Sequence, residues 1–197
     1  TPFEESVATA MRSPLGVGAA AFHTGGQVGL AETVYLGVFR RSALERVGGY
    51  DPHFTRAQDW EMNFRIRQTG GTVWFNPALH VTYRPRPTVR KLAKQYFEYG
   101  VWRREVVRTH PETTSSKSAL RYFAPPLAVV GSLLGLVLGI VGQTWAYVLP
   151  ITYIAIEVLA SLSLLRSAKR GWFYVPVVLL TMHWSWGTGF IVSRSKR

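Results

Sequence analysis

Beyond residue 122 the chain becomes three apolar stretches, each as long as a bilayer-crossing helix, and that restricts everything before them. Residues 123–142 carry no charge, residues 145–165 carry only Glu157, and residues 172–192 hold no Asp, Glu, Lys or Arg but include His183. A helix rises 1.5 Å per residue, so about 20 residues cover a ~30 Å hydrocarbon core. Gln143 and Thr144 alone separate the first two stretches, which predicts a tight hairpin. The connector Arg166-Ser167-Ala168-Lys169-Arg170 is basic, and basic connectors stay on the cytoplasmic side. Residues 1–122 are then cytoplasmic as well, and the chain reads as a multi-pass protein of the cell (inner or plasma) membrane. The third stretch conflicts with this rule, because a span there sends the basic residues 193–197 outside. Two readings stand: a third span that breaks the charge rule, or a segment that lies at the interface or re-enters.

Charge is distributed accordingly. Residues 1–122 hold 17 Lys/Arg against 10 Asp/Glu, and residues 123–197 hold 6 against the single Glu157. Apolar runs punctuated by basic residues fit membrane lipids as a partner. No interleaving of aromatic and basic residues or nucleic-acid motif supports a nucleic-acid partner. The absence of cysteine rules out a disulfide framework or thiolate metal site. The first residues, Thr1-Pro2-Phe3-Glu4-Glu5, are acidic and unlike a secretory leader. With no Met at the start, the sequence reads as a piece of a longer protein.

The first part mixes helix and strand signals. Residues 2–11 read as a helix with acids in its first turn, as the helix dipole favours. Residues 16–22 are small and apolar, ending at Gly25-Gly26. Residues 33–39, rich in β-branched and aromatic side chains, predict a strand. Residues 42–47 predict a short helix capped by Ser42 and closed by Gly48-Gly49. Residues 58–68 predict an amphipathic helix with Trp60 and Phe64 on one face. Short strands are expected at 72–75 and 80–83, followed by Arg84-Pro85-Arg86-Pro87, which two prolines keep out of regular helix. A long basic interfacial helix is expected over 88–108 and a linker over 111–122. The fold class is α/β: a partial layer over residues 1–110, then a membrane region with helices at 123–142, 145–165 and 172–192.

The chemistry-bearing block runs from Gly37 to Arg104. It reads Gly37-Val38-Phe39-Arg40-Arg41, Val47-Gly48-Gly49-Tyr50-Asp51, Gln58-Asp59-Trp60-Glu61, Arg65 and Gly70-Gly71, with Tyr83-Arg84-Pro85-Arg86 and Gln95 to Arg104 behind it. An ionised carboxylate at a helix start, such as Asp59, is stabilised by the dipole and can take a proton from a hydroxyl held within hydrogen-bond reach. The plainer reading of Asp59 is a helix cap, and of Glu61 a surface pair with Arg65. In order and spacing, these elements resemble the second half of family 2 glycosyltransferases of the GT-A fold, and the later ones resemble the succinoglycan-biosynthesis-type exopolysaccharide subgroup.

The resemblance implies an inverting hexosyltransferase-like enzyme for cell-surface or cell-wall polysaccharide. It would move a sugar from a nucleotide-sugar donor to a glycan or lipid-linked acceptor. Asp59 matches the family's catalytic base, in a motif usually written Glu-Asp-x-Asp and here Gln58-Asp59-x-Glu61. Gln58, Glu61, Trp102, Arg103 and Arg104 are the implied substrate-binding residues. The last three stand near the family's Gln-x-x-Arg-Trp feature in a different order, and they read equally as an interfacial helix meeting anionic headgroups. The family holds its donor diphosphate through a divalent cation, Mg or Mn, on an Asp-x-Asp motif. Asp51 and Asp59 are the only aspartates here and are not so spaced, so the cation's ligands are expected mostly outside this chain. His80, three residues before the place where relatives often carry a metal-side His, is a weak candidate ligand and otherwise a structural histidine. The donor-binding half is expected elsewhere, and this portion alone is expected to be inactive. The alternative is a truncated, inactive relative serving as a membrane-anchored binding or scaffold protein.

Overall fold

A computed structural model of the chain describes residues 1–17, 25–115 and 119–194. It is mostly helical, with one small two-stranded sheet and three helices long and apolar enough to cross a membrane. The chain forms two compact units, residues 19–83 and residues 1–18 with 84–197.

In the smaller unit, strand β1 (Gly29–Leu30) pairs antiparallel with β2 (Trp74–Phe75), Gly29 opposite Phe75 and Leu30 opposite Trp74. Helices α3 (Arg41–Val47) and α4 (Gln58–Gln68) lie between them in sequence. Helix α4 has the expected bounds, and Trp60 stacks on Phe64 at 5.4 Å. Helix α3 ends at Gly48 with φ of 74°, a left-handed conformation that a Cβ would strain. Its N-cap is Arg40, so Ser42 sits inside the helix rather than capping it. Residues 33–39 and 80–83 are not strands. High β propensity needs a paired neighbour to be realised, and here only the two-residue ladder supplies one. Part of the expected small apolar segment 16–22 lies outside the described residues.

The larger unit is built from helices. These are α1 (Pro2–Met11), the single turn α2 (Pro14–Val17), α5 (Val89–Thr109), α6 (Ala119–Ile140), α7 (Val148–Leu164) and α8 (Val175–Val192). Helix α1 starts with a complete capping box between Thr1 and Glu4. Thr88 caps α5 by accepting from the Lys91 amide at 3.3 Å. Helices α6 and α7 form the expected hairpin. It turns at Gly142 (φ 101°), and Gly135 and Gly139 let α6 approach Ala146 and Tyr147 closely.

Helix α8 sits among the others. Val175, Val178, Leu179 and Met182 are fully buried with Val7 and Ala10 of α1, Leu92 and Tyr96 of α5, and Ala160 of α7. Helix α5 lies against α8 through glycines on both sides: a Cβ at Gly100 would collide with the Trp186 carbonyl, and one at Gly189 with the Phe97 carbonyl. Arg108 then bonds the Ser193 carbonyl at 2.5 Å just past the end of α8. Gly100→Ala is expected to cost about 1–3 kcal/mol, as overpacking does. Gly131→Ala, whose new Cβ meets open space, is expected to cost nothing. Thermal melting of the detergent-solubilised protein measures both.

Candidate functional site

Helix α4 organises a pocket in the smaller unit. The pocket is an open cleft of about 500 Å³ lined by Tyr35, Leu36, Tyr50, Asp51, Pro52, Phe54, Gln58 and Asp59. Asp59 sits in the first turn of α4, behind an N-cap residue, Ala57, that offers no side-chain bond. Asp59 is therefore inside the helix rather than its cap. One of its carboxylate oxygens, Oδ1, accepts from the Tyr50 hydroxyl at 3.0 Å. Burial, and then the bond to Asp59, push the Tyr50 phenol above its ordinary pKa, so at neutral pH it remains a donor.

Both walls of the pocket are tied to α4 one turn below Asp59. On one side Asn63 Nδ2 donates to Thr33 Oγ1 at 2.9 Å and to the Val34 carbonyl at 3.2 Å, holding the strip that leads into Tyr35 and Leu36. On the other, Arg65 forks onto Glu61 at 2.7 Å and 2.8 Å and bonds the carbonyls of Val47 and Gly49. This clamp fixes the turn that delivers Tyr50 and Asp51. Asp51 in turn accepts the His53 amide at 2.8 Å, closing a local Asx-type turn. Leu36, which lines the cleft, and Ala57, next in sequence to the lining residue Gln58, are the two non-glycine residues with left-handed φ among those described (51° and 60°). Such conformations cost of order 1–3 kcal/mol each and persist where the surroundings enforce them.

The residues singled out from sequence thus have different placements. Gln58 and Asp59 share the pocket. Glu61 is 2% exposed with both oxygens on Arg65, a buried pair rather than the surface pair expected. Trp102, Arg103 and Arg104 lie on α5 of the other unit. Trp102 is buried at 5% exposure, Arg103 covers the Tyr122 ring at 4.0 Å, and Arg104 the Phe190 ring at 5.1 Å. His80 is exposed in the irregular segment before α5. Among the described residues no three His, Cys, Asp or Glu side chains come together as a metal site. Asp51 and Asp59 alone are too few oxygen ligands for a hard cation, so the described residues do not by themselves supply the ligand set of a divalent metal. The sequence reading missed Asn63 and Tyr50 as partners of this site; a polar Asn in register with Asp59 on one helix face was the available signal.

The long apolar helices define a membrane-associated chain, and the cleft gives it a carboxylate-bearing site. The chain is 30% identical over 190 residues to the succinoglycan biosynthesis protein ExoA of Rhizobium meliloti (strain 1021), a match covering 95% of this chain and 56% of that protein. It is the C-terminal part of the relative that aligns, so this chain spans just over half of its length. No protein-family model matches the chain. No solved structure matches it either.

Removing Arg65 takes away the guanidinium from which both oxygens of the buried Glu61 accept. Arg65→Met is expected to cost about 3–5 kcal/mol. Arg41→Met, whose partner Glu45 is 62% exposed, is expected to cost less than about 1 kcal/mol. Denaturant unfolding followed by the tryptophan signal distinguishes the two.

Proposed function

We propose that this chain is the acceptor-side, membrane-anchored portion of an inverting glycosyltransferase of the GT-A type in exopolysaccharide synthesis. The single observation that carries the reading is the Asp59 carboxylate, placed at the start of α4 on a polar cleft and oriented by Tyr50. The similarity to the succinoglycan biosynthesis protein supports the same class of chemistry.

In this reading a sugar hydroxyl of a glycan or lipid-linked acceptor enters the cleft beside Asp59. Tyr50 occupies Oδ1, leaving Oδ2 to accept the hydroxyl proton. The acceptor oxygen then forms a bond to the anomeric carbon of the donor while the bond from that carbon to the nucleotide diphosphate breaks, and configuration inverts. The proton passes from Asp59 to solvent. Gln58 is a substrate contact at the same helix end. Glu61 and Arg65 act by positioning the cleft wall. Arg103 and Arg104 fasten α5 to aromatic rings of the membrane helices. The nucleotide-sugar donor is bound by sequence outside this chain, and the smaller unit faces the cytoplasm.

Asp59→Asn in a protein that includes the donor-binding part is expected to lower turnover by about 10²–10⁴-fold, the range for loss of a general base, with membrane insertion unchanged. Transfer of radiolabelled sugar from a panel of nucleotide sugars into membrane lipid and polymer measures it. Unimpaired transfer by the Asn variant removes Asp59 from the mechanism.

A further inference from the structure

The last helix has the length and composition of a span, from Arg170 to Val192, yet it is the least apolar and the most buried of the three candidates. Its contacts place its two ends at one level of the hairpin. The N-terminal end is fixed by the short connector from Leu164 and by burial of Val175 and Tyr174 with Leu164. That is where α7 ends. Near the C-terminal end, Gly187 packs so closely on α6 that a Cβ would lie 2.6 Å from the Pro125 carbonyl and 2.8 Å from Val129. Phe190 meets Phe123 edge-on at 5.6 Å, and Arg104 over Phe190 stands near Arg103 over Tyr122. Those residues lie within about two turns of Tyr122, where the first span begins. A helix crossing the bilayer would instead end beside the α6–α7 turn at Gly142 and Gln143.

The neighbours of α8 give the same answer independently. Helices α1 and α2 flank its first half and the turn before it: Ser6 Oγ donates to the Gly171 carbonyl at 2.5 Å, Phe3 meets Tyr174 at 5.6 Å, and the Leu15 carbonyl of α2 accepts from His183 Nε2 at 2.7 Å. Helix α5 flanks its second half, up to Val101 and Arg108 at Ser193. Glu5, Arg12, Lys91 and Lys94 on α1 and α5 are exposed. An upright α8 would drag them through hydrocarbon, where charge is expensive. Deeper contacts of α8 are the pairing of His183 Nδ1 with Glu157 and the rings of His183 and Trp184, each 6.5 Å from that of Tyr153, about two and three turns above the end of α7. Since the Leu15 carbonyl can only accept, His183 Nε2 carries a hydrogen.

We propose that α8 does not cross the bilayer. It lies across the α6–α7 hairpin from its open end, in the interfacial layer, with its exposed apolar residues (Val177, Leu180, Ile191) towards the acyl chains and α1 and α5 towards the headgroups. The chain then crosses twice, and Arg194 returns to the side that holds the 166–170 connector, which removes the charge conflict. This rests on the membrane-anchored reading above.

The sequence has no cysteine, so single reporters are clean. Gln143→Cys, Ser167→Cys and Arg194→Cys, all at exposed positions, are reacted in sealed vesicles of known orientation with a membrane-impermeant maleimide, before and after permeabilisation. Ser167→Cys and Arg194→Cys are expected to react from the same face and Gln143→Cys only from the other. Arg194→Cys reacting from the Gln143 face makes α8 a third span and overturns the proposal. All three reacting from one face instead overturns the anchored reading beneath it. Should a variant fail to accumulate, protease protection of a C-terminal epitope tag on the otherwise unchanged chain reports the same sidedness.

Discussion

Glu61 holds a carboxylate where almost no water reaches, and the smaller unit is arranged around the answer to that charge. Removing an ion from water costs several kcal/mol unless a partner and further hydrogen bonds compensate. Arg65 supplies the partner in bidentate form, the geometry in which guanidinium and carboxylate match best. Its remaining donors go to the carbonyls of Val47 and Gly49, so neutralising one charge also fixes a turn that is sequentially remote. That turn delivers Tyr50 to Asp59. The Asp59 carboxylate is thus oriented by a chain of contacts that begins with a buried one, and the two acids of one short segment differ because one faces the interior and the other the cleft.

The larger unit meets a related requirement in a different medium. Glu157, the single acid beyond residue 122, is 5% exposed and answered by His183 on the neighbouring helix. Around that pair the helices approach through glycine rather than through large side chains. This is how apolar helices associate when the hydrophobic effect gives no preference for protein over lipid. Gly100, Gly187 and Gly189 each stand where a side chain would strike backbone. Helix α8 is consequently more a packed core helix than a lipid-facing one.

Much of the local structure was legible from residues. The bounds of α1 and α4 follow from signals that act within a turn: the Thr1–Glu4 capping box, acids in the first turn and glycine beyond the last. The strands expected at 33–39 and 80–83 failed because β propensity describes a fit to a neighbouring strand, and β1–β2 pairs only two residues on each side. In the site, Asp59 and Gln58 were legible because the helix start marks them. The pairing of Glu61 with Arg65 was legible as well, from its i,i+4 spacing; the bonds from Asn63 to Thr33 and from Arg65 to Gly49 were not, since those acceptors lie 30 and 16 residues away along the chain.

The residue string by itself determined the helix-forming segments, the three apolar lengths, the absence of thiol chemistry and the carboxylate at the head of α4. All of these depend on composition and on neighbours within a turn or two. Tertiary structure alone decided that Glu61 turns inward while Asp59 faces the cleft, that Tyr50 orients the latter, and which surfaces of α8 meet protein. Hydropathy measures what a helix is made of, whereas its position relative to a bilayer depends on what it packs against, and only the folded chain brings those partners together.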